Sequence, residues 1–284
     1  MIVLSITKSE KPKNKNLIFV SAGDRETFAS FASRNLTGNF DLAFFYYGKN
    51  QEKANNLRQS ATVFASGTGT KFNSIRQMHK EMPDLIKSYE TVWVCDDDPV
   101  PVKGNINDAP DILKKFHLKV LSPAHAQEGK ISHQIMLPLP GVHVFRYVNF
   151  VEMSWPLFSS ESLADFLNIY DGSLDGWGTD WWFMNYFDAN HQMVAGIMDK
   201  VVFLNPRDSQ KEDGYSEIDL YTNTHDMMAQ WNEIKNKNNL TDWRHENLSG
   251  ILSTKEEINK KWGRLYINGI SLIYKKFINR NYTL

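Results

Sequence analysis

The chain has 284 residues, of which 42% are hydrophobic and 23% charged, a composition typical of a soluble globular protein with a substantial core. The formal net charge of −1 gives no electrostatic reason to expect a nucleic-acid partner, and the single cysteine, Cys95, excludes an internal disulfide framework and a multi-cysteine zinc site. No apolar run reaches the length of a membrane span or a signal peptide, so we expect a cytoplasmic protein.

Strands alternate with helices along the first part of the chain. Continuous apolar runs predict strands, and apolar residues at helical spacing predict helices. The predicted strands cover residues 17–21, 40–47, 61–65, 92–95 and 119–121, and the predicted helices cover residues 73–89 and 109–116. Strands that are apolar on both faces and alternate with helices are typical of a mainly parallel sheet covered on both sides. The predicted fold class is therefore α/β.

The second part of the chain is different in character. We predict an aromatic extended segment at 143–153, helices at 160–170 and 180–187, and a last strand at 201–204. Beyond Arg207 the composition becomes polar, and residues 256–278 carry apolar side chains at helical spacing among lysines and arginines. We expect this last segment to pack on the protein as a helix; alternatively, its basic surface could touch anionic lipid as a peripheral contact at the inner face of a membrane.

Three consecutive carboxylates, Asp96, Asp97 and Asp98, follow the predicted strand 92–95. Like charges at a strand end repel one another unless a cation lies among them. Mg²⁺ and Mn²⁺ take oxygen ligands and often combine one or two carboxylates with substrate phosphates. Since alternate residues of an extended chain share a face, Asp96 and Asp98 can point to the same side. The segment predicts a metal–diphosphate site, and a solvated acidic turn is the alternative.

Other strand ends could complete a nucleotide pocket, because ligands of open α/β sheets bind beyond the carboxyl ends of the strands. The residues concerned are Ser21, Ala22, Gly23 and Asp24 after the first predicted strand and Tyr47 and Gly48 after the second. The glycines could equally do no more than end their strands. Lys71 follows a Gly-Thr-Gly-Thr segment that does not match a P-loop, although its ammonium could still approach a phosphate.

Two further acids lie among aromatic residues. Glu152 is in an apolar and aromatic stretch, and Asp180 follows Gly176-Trp177-Gly178 and precedes Trp181. Apolar surroundings disfavour the ionised carboxylate and can raise its pKa towards that of a useful general base. The alternatives are a helix N-terminal carboxylate for Asp180 and a buried hydrogen-bonding acid for Glu152. Aromatic faces also pack against sugar rings, and His133 lies near the same expected cleft.

In this order, these segments resemble a glycosyltransferase-like family known as domain of unknown function 707, which is itself similar to GT-A glycosyltransferases. The resemblance extends from about residue 17 to residue 206. The matching residues are Val20-Ser21-Ala22-Gly23-Asp24, Asn39-Phe40-Asp41, Tyr46-Tyr47-Gly48, Lys71-Phe72, Val92 to Asp98, Ser132-His133, Tyr147 to Glu152, Pro156-Leu157-Phe158-Ser159 and Gly176-Trp177-Gly178-Thr179-Asp180.

The resemblance implies a GT-A-like fold, in which a Rossmann-type mixed sheet flanked by helices joins a nucleotide-binding half to an acceptor-binding half. We predict a catalytic domain over residues 1–207, with these halves at about 1–125 and about 126–207. Residues 208–284 are predicted to form a mainly helical C-terminal appendage. The implied reaction transfers a sugar from a nucleotide-diphosphate sugar to a glycan acceptor in polysaccharide biosynthesis, with Mn²⁺ or Mg²⁺ as cofactor.

The resemblance also implies roles for single residues. Asp180 is the candidate base, and Glu152 is the second choice or an acceptor ligand; direct displacement assisted by Asp180 would invert the anomeric centre. The predicted donor-binding residues are Ser21, Ala22, Gly23, Asp24, Tyr47, Lys71, Asp96 and Asp97. The predicted acceptor-binding residues are Glu152, Trp177, Gly178, Trp181 and His133, and the predicted metal ligands are Asp96, Asp98 and Asn205.

The sequence departs from the family at Asn205. Related proteins tend to carry a histidine near the last strand that completes the metal shell, whereas Asn205 offers only a carbonyl oxygen. Two other functions stay open at this point. One is a metal-dependent phosphohydrolase of nucleotide sugars, which uses the same acids with water. The other is a non-catalytic carbohydrate-binding protein on a transferase scaffold.

Overall fold

The computed structural model describes residues 3–25, 27–139, 144–207, 209, 224–253 and 256–257, and in these ranges a single sheet runs through the fold. The strands are β1 Val3–Ser9, β2 Asn16–Ala22, β3 Asp41–Tyr46, β4 Val63–Thr68, β5 Thr91–Cys95, β6 Val100–Lys103, β7 Val120–His125, β8 Phe145–Val148, β9 Leu157–Ser159, β10 Ala195–Leu204, β11 Asn247–Ser253 and β12 Glu256–Glu257. The helices are α1 Thr27–Asn35, α2 Gln51–Ser60, α3 Lys71–Glu81, α4 Asp84–Lys87, α5 Ala109–Lys115, α6 Ser160–Ile169, α7 Thr179–Tyr186 and α8 Thr224–Lys237.

The sheet is mixed, and most of its central strands point the same way. The strand order is β1-β4-β3-β2-β5-β9-β7-β10-β8-β11-β12, with β6 paired to β10 outside this path. Strands β2, β3, β4 and β5 are parallel, and β10 is parallel to β7. Strand β9 is antiparallel to both β5 and β7, which gives those two strands one direction. The strands β2, β3, β4, β5, β7 and β10 therefore end at the same edge of the sheet, which we call the carboxyl edge.

Burial on both faces of the sheet explains the continuous apolar runs. In β2, Phe19 packs in the core on one face with Phe72 of α3, whereas Ile18 and Val20 pack in the core on the other face with Phe28 of α1. Successive side chains of a strand point to opposite faces, so a strand covered on both sides needs apolar residues at every position. The predicted α/β fold, a mixed sheet flanked by helices, is confirmed.

Some elements differ from those predicted. The helix predicted over 73–89 is two helices, α3 and α4, because Pro83 between them has no N–H to donate and its ring clashes with the preceding turn. The extended segment predicted over 143–153 forms a strand only in β8. Strands β1, β6 and β9 and the antiparallel direction of β8 were not expected, since strand direction depends on pairing partners that lie far away in the sequence.

The described residues after 207 join the main fold. Helix α8 agrees with the helical prediction, but β11 pairs with β8 and extends the main sheet, in contrast to the mainly helical appendage predicted. This strand pairs along the edge of β8, and such pairing is not visible in the local sequence. The division into two units stays a prediction. Of the helix predicted over 256–278, residues 256–257 form β12 and the basic remainder lies outside the described residues. Among the helices that the structure describes, none combines the length and apolar character needed to cross a membrane.

Candidate active site

Asp97 connects the acidic cluster to the end of β2 at the carboxyl edge. Its carboxylate accepts a 2.5 Å hydrogen bond from the Gly23 N–H, and its backbone carbonyl accepts one of 2.7 Å from the Phe28 N–H. These bonds fix the turn at residues 21–24 against the acidic cluster. The structure thus brings the predicted donor-side residues of β2 and β5 together, while their contact with a nucleotide stays a prediction.

Asp24 is engaged by the turn that follows β3. Its carboxylate accepts hydrogen bonds from the Tyr46 hydroxyl and from the backbone N–H groups of residues 49–50. Burial opposes ionisation here, but these hydrogen bonds keep the pKa of Asp24 below its ordinary value. The neighbouring Tyr47 is half-buried, with its hydroxyl 3.5 Å from the Asp97 carboxylate. The ends of β2, β3 and β5 are therefore linked by hydrogen bonds into one continuous surface.

Lys71 is a buried cation between the acidic cluster and the loop that carries Glu152. Its ammonium lies 2.9 Å from Asp96 Oδ1 and donates to the carbonyls of Met153 at 2.6 Å and Ser154 at 2.7 Å. An ammonium has three donors, and these contacts account for all of them. In the structure Lys71 therefore ties Asp96 to residues 153–154, and its contact with a donor phosphate stays a prediction.

We expect Lys71→Met to lower the free energy of unfolding by about 2–4 kcal/mol, because it leaves two buried carbonyls and a carboxylate without their cation. Urea denaturation at neutral pH measures this change. Lys80→Met, on the exposed face of the same helix, is the matched control and should change stability by less than about 0.5 kcal/mol. Equal stability of the two variants would contradict the bridging role of Lys71.

Asp96 and Asp98 fit the donor set of a hard divalent cation. Reduced hydration raises the pKa of Asp96 to about 6; attraction to Lys71 opposes this shift, and repulsion from Asp98 adds to it. The Asp96 side chain is still 42% exposed, which leaves it accessible to a ligand. Mg²⁺ and Mn²⁺ commonly use one or two carboxylates and complete their shell with phosphate oxygens and water.

A cage built from protein ligands alone is not seen in the part of the chain that the structure describes, where no three His, Cys, Asp or Glu residues form a metal-binding group. Asn205 follows β10 at the carboxyl edge, and its backbone carbonyl accepts a 2.7 Å hydrogen bond from the Lys130 N–H. Its role as a metal ligand stays a prediction. Any cation at Asp96 and Asp98 would depend on the substrate for much of its coordination.

Glu152 is a buried acid, only 6% exposed. Its carboxylate accepts a 2.8 Å hydrogen bond from the Ser154 hydroxyl, and its Oε2 lies 3.9 Å from Nδ1 of His125. Burial raises the pKa of Glu152, and the neighbouring His133 and the bond from Ser154 oppose this shift. The protonated form of Glu152 is therefore more favoured in the protein than it would be in water.

Asp180 is the second buried acid, also 6% exposed, and it lies in the first turn of α7. Its Oδ1 accepts a 2.9 Å hydrogen bond from the Trp181 N–H. Burial raises the pKa of Asp180 to about 7, and repulsion from Glu152 adds to the shift, although hydrogen bonds from the Trp181 and Met153 backbone oppose it. A general base works best with a pKa near the working pH, so this shift is in the direction that base chemistry favours, while the role of Asp180 as base stays a prediction. Asp180 also lies at the N-terminus of α7, as the alternative interpretation predicted. A carboxylate in this position can stabilise the helix and still act as a base.

Gly178 has a backbone role that accounts for it without any ligand. It precedes α7 with φ +94°, and a Cβ atom at this position would lie 2.6 Å from the indole of Trp231 in α8. Only glycine adopts this conformation at low cost and leaves room for the indole. Contact between Gly178 and an acceptor stays a prediction, whereas its packing against α8 is observed.

We expect Gly178→Ala to lower the free energy of unfolding by about 2–4 kcal/mol, through backbone strain and displacement of Trp231. Thermal unfolding followed by circular dichroism measures the loss. Gly38→Ala is the control, since a Cβ atom there meets nothing within 4 Å. A Gly178→Ala protein as stable as Gly38→Ala would show that α8 does not pack as described.

The predicted acceptor-side aromatic residues lie together. The ring centroid of His133 is 4.7 Å from that of Phe150 and 6.1 Å from that of Trp177, and Trp181 lies 4.8 Å from Phe150. Burial lowers the pKa of His133, and the nearby Glu152 carboxylate opposes this shift. The structure therefore brings His133, Trp177 and Trp181 to the side of the site where Glu152 and Asp180 lie.

Three residues of this region were not anticipated from the sequence. His125 ends β7, is fully buried against Trp155 and is kept neutral by burial, which lowers its pKa to about 3. Its position at the end of a predicted strand was an available signal. Trp243 and His245 each lie 5.2 Å from the Trp181 ring. No local signal marked them, because only the folded chain brings residues 241–246 back to the site.

A cavity of about 650 Å³ lies elsewhere, at the opposite edge of the sheet from the acidic cluster. It is lined by residues that include Lys114, Lys119, Glu161 and Asp165. None of the predicted site residues lines it, so it lies outside the candidate active site.

Comparison with known proteins bears on the fold. No family model and no curated protein matches the chain. The structure of S. aureus TarS 1–349 in complex with UDP-GlcNAc is similar, with a TM-score of 0.53 and 14% identity over 81% of this chain and 68% of that chain. Two further structures have lower scores. S. aureus TarS gives a TM-score of 0.48 and 12% identity over 69% of this chain, and 4-diphosphocytidyl-2C-methyl-D-erythritol synthase from Anaerococcus prevotii gives 0.42 and 12% over 78% of this chain and 96% of that chain.

The match covers only 37% of the TarS chain in its longer form, so this protein corresponds to part of TarS in length. At such low identity, the likeness speaks for the fold alone. The resemblance to domain of unknown function 707 is not supported by a family model, whereas the coarser expectation of a glycosyltransferase-like fold is confirmed. The chain has a GT-A-like α/β fold whose acidic residues gather at the carboxyl edge of the sheet.

Proposed function

We propose that this protein is a metal-dependent glycosyltransferase that moves a sugar from a nucleotide-diphosphate sugar to a glycan acceptor in polysaccharide biosynthesis. One observation carries the proposal: the buried acid Glu152 and the acidic cluster lie in one network, in which the Ser154 hydroxyl bonds Glu152 and the Lys71 ammonium joins the Met153 and Ser154 carbonyls to Asp96. The similar TarS structure holds UDP-GlcNAc, which makes a UDP-sugar the first donor to test.

The mechanism follows from where these charges lie. Asp180 accepts the proton of the acceptor hydroxyl, whose oxygen then attacks the anomeric carbon while the bond to the nucleotide diphosphate breaks, so that the configuration inverts. Glu152 raises the basicity of Asp180 through charge repulsion. Lys71 keeps Asp96 in position. A divalent cation held by Asp96 and Asp98 would supply positive charge against the departing diphosphate.

We expect the transfer rate to rise with pH and to level off above about pH 7, because the proposed base must be ionised and the pKa of Asp180 is raised to about 7. Below this value the rate should fall by about tenfold for each pH unit. Initial rates at saturating donor, measured between about pH 5 and pH 9 at constant ionic strength, test this dependence. A rate that is flat from pH 5 to pH 7 would exclude Asp180 as the base.

Binding and product analysis separate the possible functions. Calorimetric titration with UDP, GDP, CDP and ADP, with Mn²⁺ and with EDTA, identifies the nucleotide; the products of the matching sugar nucleotides are then analysed with and without oligosaccharide acceptors. Nucleotide release that requires an acceptor supports the transferase. Equal release without acceptor shows a phosphohydrolase. Glycan binding without any nucleotide binding shows a carbohydrate-binding protein.

A further inference from the structure

Partly exposed aromatic rings form a continuous surface next to Asp180, which we call the aromatic patch. It consists of the half-buried rings of His133, Trp177, Trp243 and His245, which lie over the buried rings of Phe150 and Trp181. The His245 ring stacks on Phe150 at 4.1 Å and on Trp181 at 5.2 Å, and it lies 5.1 Å from His133. Residues from three distant parts of the chain therefore share one surface.

Hydrogen bonds hold the segment 241–246, which brings Trp243 and His245 to the patch. The Trp243 indole N–H donates to the Asn149 carbonyl at 3.0 Å, and the Asn149 side chain bonds the backbone of residues 244 and 246 at 2.9 and 2.7 Å. The Asn185 amide forms two hydrogen bonds with the backbone of Thr241, at 2.8 and 3.0 Å. The rings are thus fixed in place before any ligand arrives, which lowers the entropic cost of binding.

The patch lies on the side of the site that carries Asp180 and Glu152. Trp181 directly follows Asp180 and donates to its carboxylate. Phe150 follows β8 and His245 precedes β11, whereas the predicted nucleotide residues follow β2 and β3. In the strand order, β5, β9, β7 and β10 lie between β2 and β8. The patch is therefore formed by other segments of the chain than those predicted to hold the nucleotide.

We propose that the aromatic patch binds a pyranose ring of the glycan acceptor and that His245 is one of its specificity-determining residues. This inference rests on the proposed function, because it assigns the acceptor subsite of that reaction. Indole faces pack on the C–H face of a sugar, and an imidazole nitrogen can exchange a hydrogen bond with a hydroxyl group. Because Nε2 of His245 is buried, its Nδ1 is the nitrogen that would make this contact. The patch combines apolar indole faces with two imidazoles. A pyranose ring, which is apolar on its faces and carries hydroxyl groups at its rim, matches this combination better than an apolar protein surface does.

The test compares His245→Ala with His225→Ala, a control histidine whose side chain is 93% exposed on α8. Wild type and both variants are applied to an array of defined oligosaccharides, and the best-bound glycan is then titrated calorimetrically. We expect His245→Ala to weaken glycan binding at least about tenfold, and His225→Ala to leave it unchanged. Affinity for UDP, titrated separately, should be the same in all three proteins.

Each outcome decides between the inference and the function on which it rests. Absence of glycan binding by the wild type, or equal glycan affinity in His245→Ala and wild type, overturns the inference. Glycan binding that depends on His245 in a protein that binds no nucleotide supports the patch and removes the transferase. If circular dichroism shows that His245→Ala is unfolded, His245→Phe replaces it, since it keeps the stacking on Phe150 and removes the ring nitrogens. Loss of glycan binding in this folded variant supports the inference, and retention of full affinity overturns it.

Discussion

Asp180→Asn is expected to reduce turnover at least about a hundredfold while donor affinity stays within about twofold of wild type. The amide cannot accept the proton of the acceptor hydroxyl, but its oxygen can still accept the hydrogen bond from the Trp181 N–H. Its residual rate should also lose the dependence on a group with a pKa of about 7. Single-turnover kinetics with saturating donor measure the loss, and calorimetry measures the donor affinity.

Stability provides an independent check on the same residue. Because the pKa of Asp180 is raised in the folded protein, the folded state binds more protons than the unfolded state between the ordinary value and about pH 7. The contribution of Asp180 to stability is therefore greatest at low pH and is lost as the pH rises through this window. Asp180→Asn should flatten this part of the stability profile. Asp175→Asn is the control for both measurements. It changes a carboxylate that lies shortly before α7 and accepts a hydrogen bond from Gln230. Turnover of Asp180→Asn near that of this control would remove Asp180 from the role of base.

Asp98→Ala is expected to abolish the increase in nucleotide affinity that Mn²⁺ provides. Loss of a residue that only supports a metal ligand commonly weakens metal binding by about 10–100-fold, and loss of a carboxylate ligand should weaken it at least as much. Calorimetric titration of UDP in Mn²⁺ and in EDTA measures the difference. In the variant, the two affinities should be equal.

The control for this substitution is Asp111→Ala in α5. It removes an exposed carboxylate that pairs with Lys114 on the same helix. It should retain the full effect of Mn²⁺ on nucleotide affinity. An Asp98→Ala protein with the dissociation constant of wild type in Mn²⁺ would show that the acidic cluster does not bind the metal ion. Such a result would leave the proposed transferase without a metal site for the diphosphate of its donor.

The sequence alone identified acids that the structure links through hydrogen bonds and ion pairs, whereas the roles of these acids stay predictions. The acids at 96–98, 152 and 180 were identified because carboxylates after an apolar strand or among aromatic residues are unusual in a soluble protein. The hydrogen-bond and ion-pair partners of these acids could not be predicted. Asp97 bonds the turn after β2, and Lys71 uses its donors on Asp96 and two carbonyls. Such contacts depend on atoms that come together only when distant segments fold.

The sequence by itself determined the α/β class, because burial on both faces of a strand demands an unbroken apolar run, and this demand is local. The break at Pro83 and the glycine at the start of α7 also follow from local backbone chemistry, although the helix predicted over 73–89 ran past Pro83 and Gly178 was predicted to bind the acceptor. The tertiary structure alone decided the strand directions, the place of β11 in the sheet and the position of His245 against Trp181. These features arise from pairing and packing between segments up to about a hundred residues apart, for which a local pattern of side chains carries no signal.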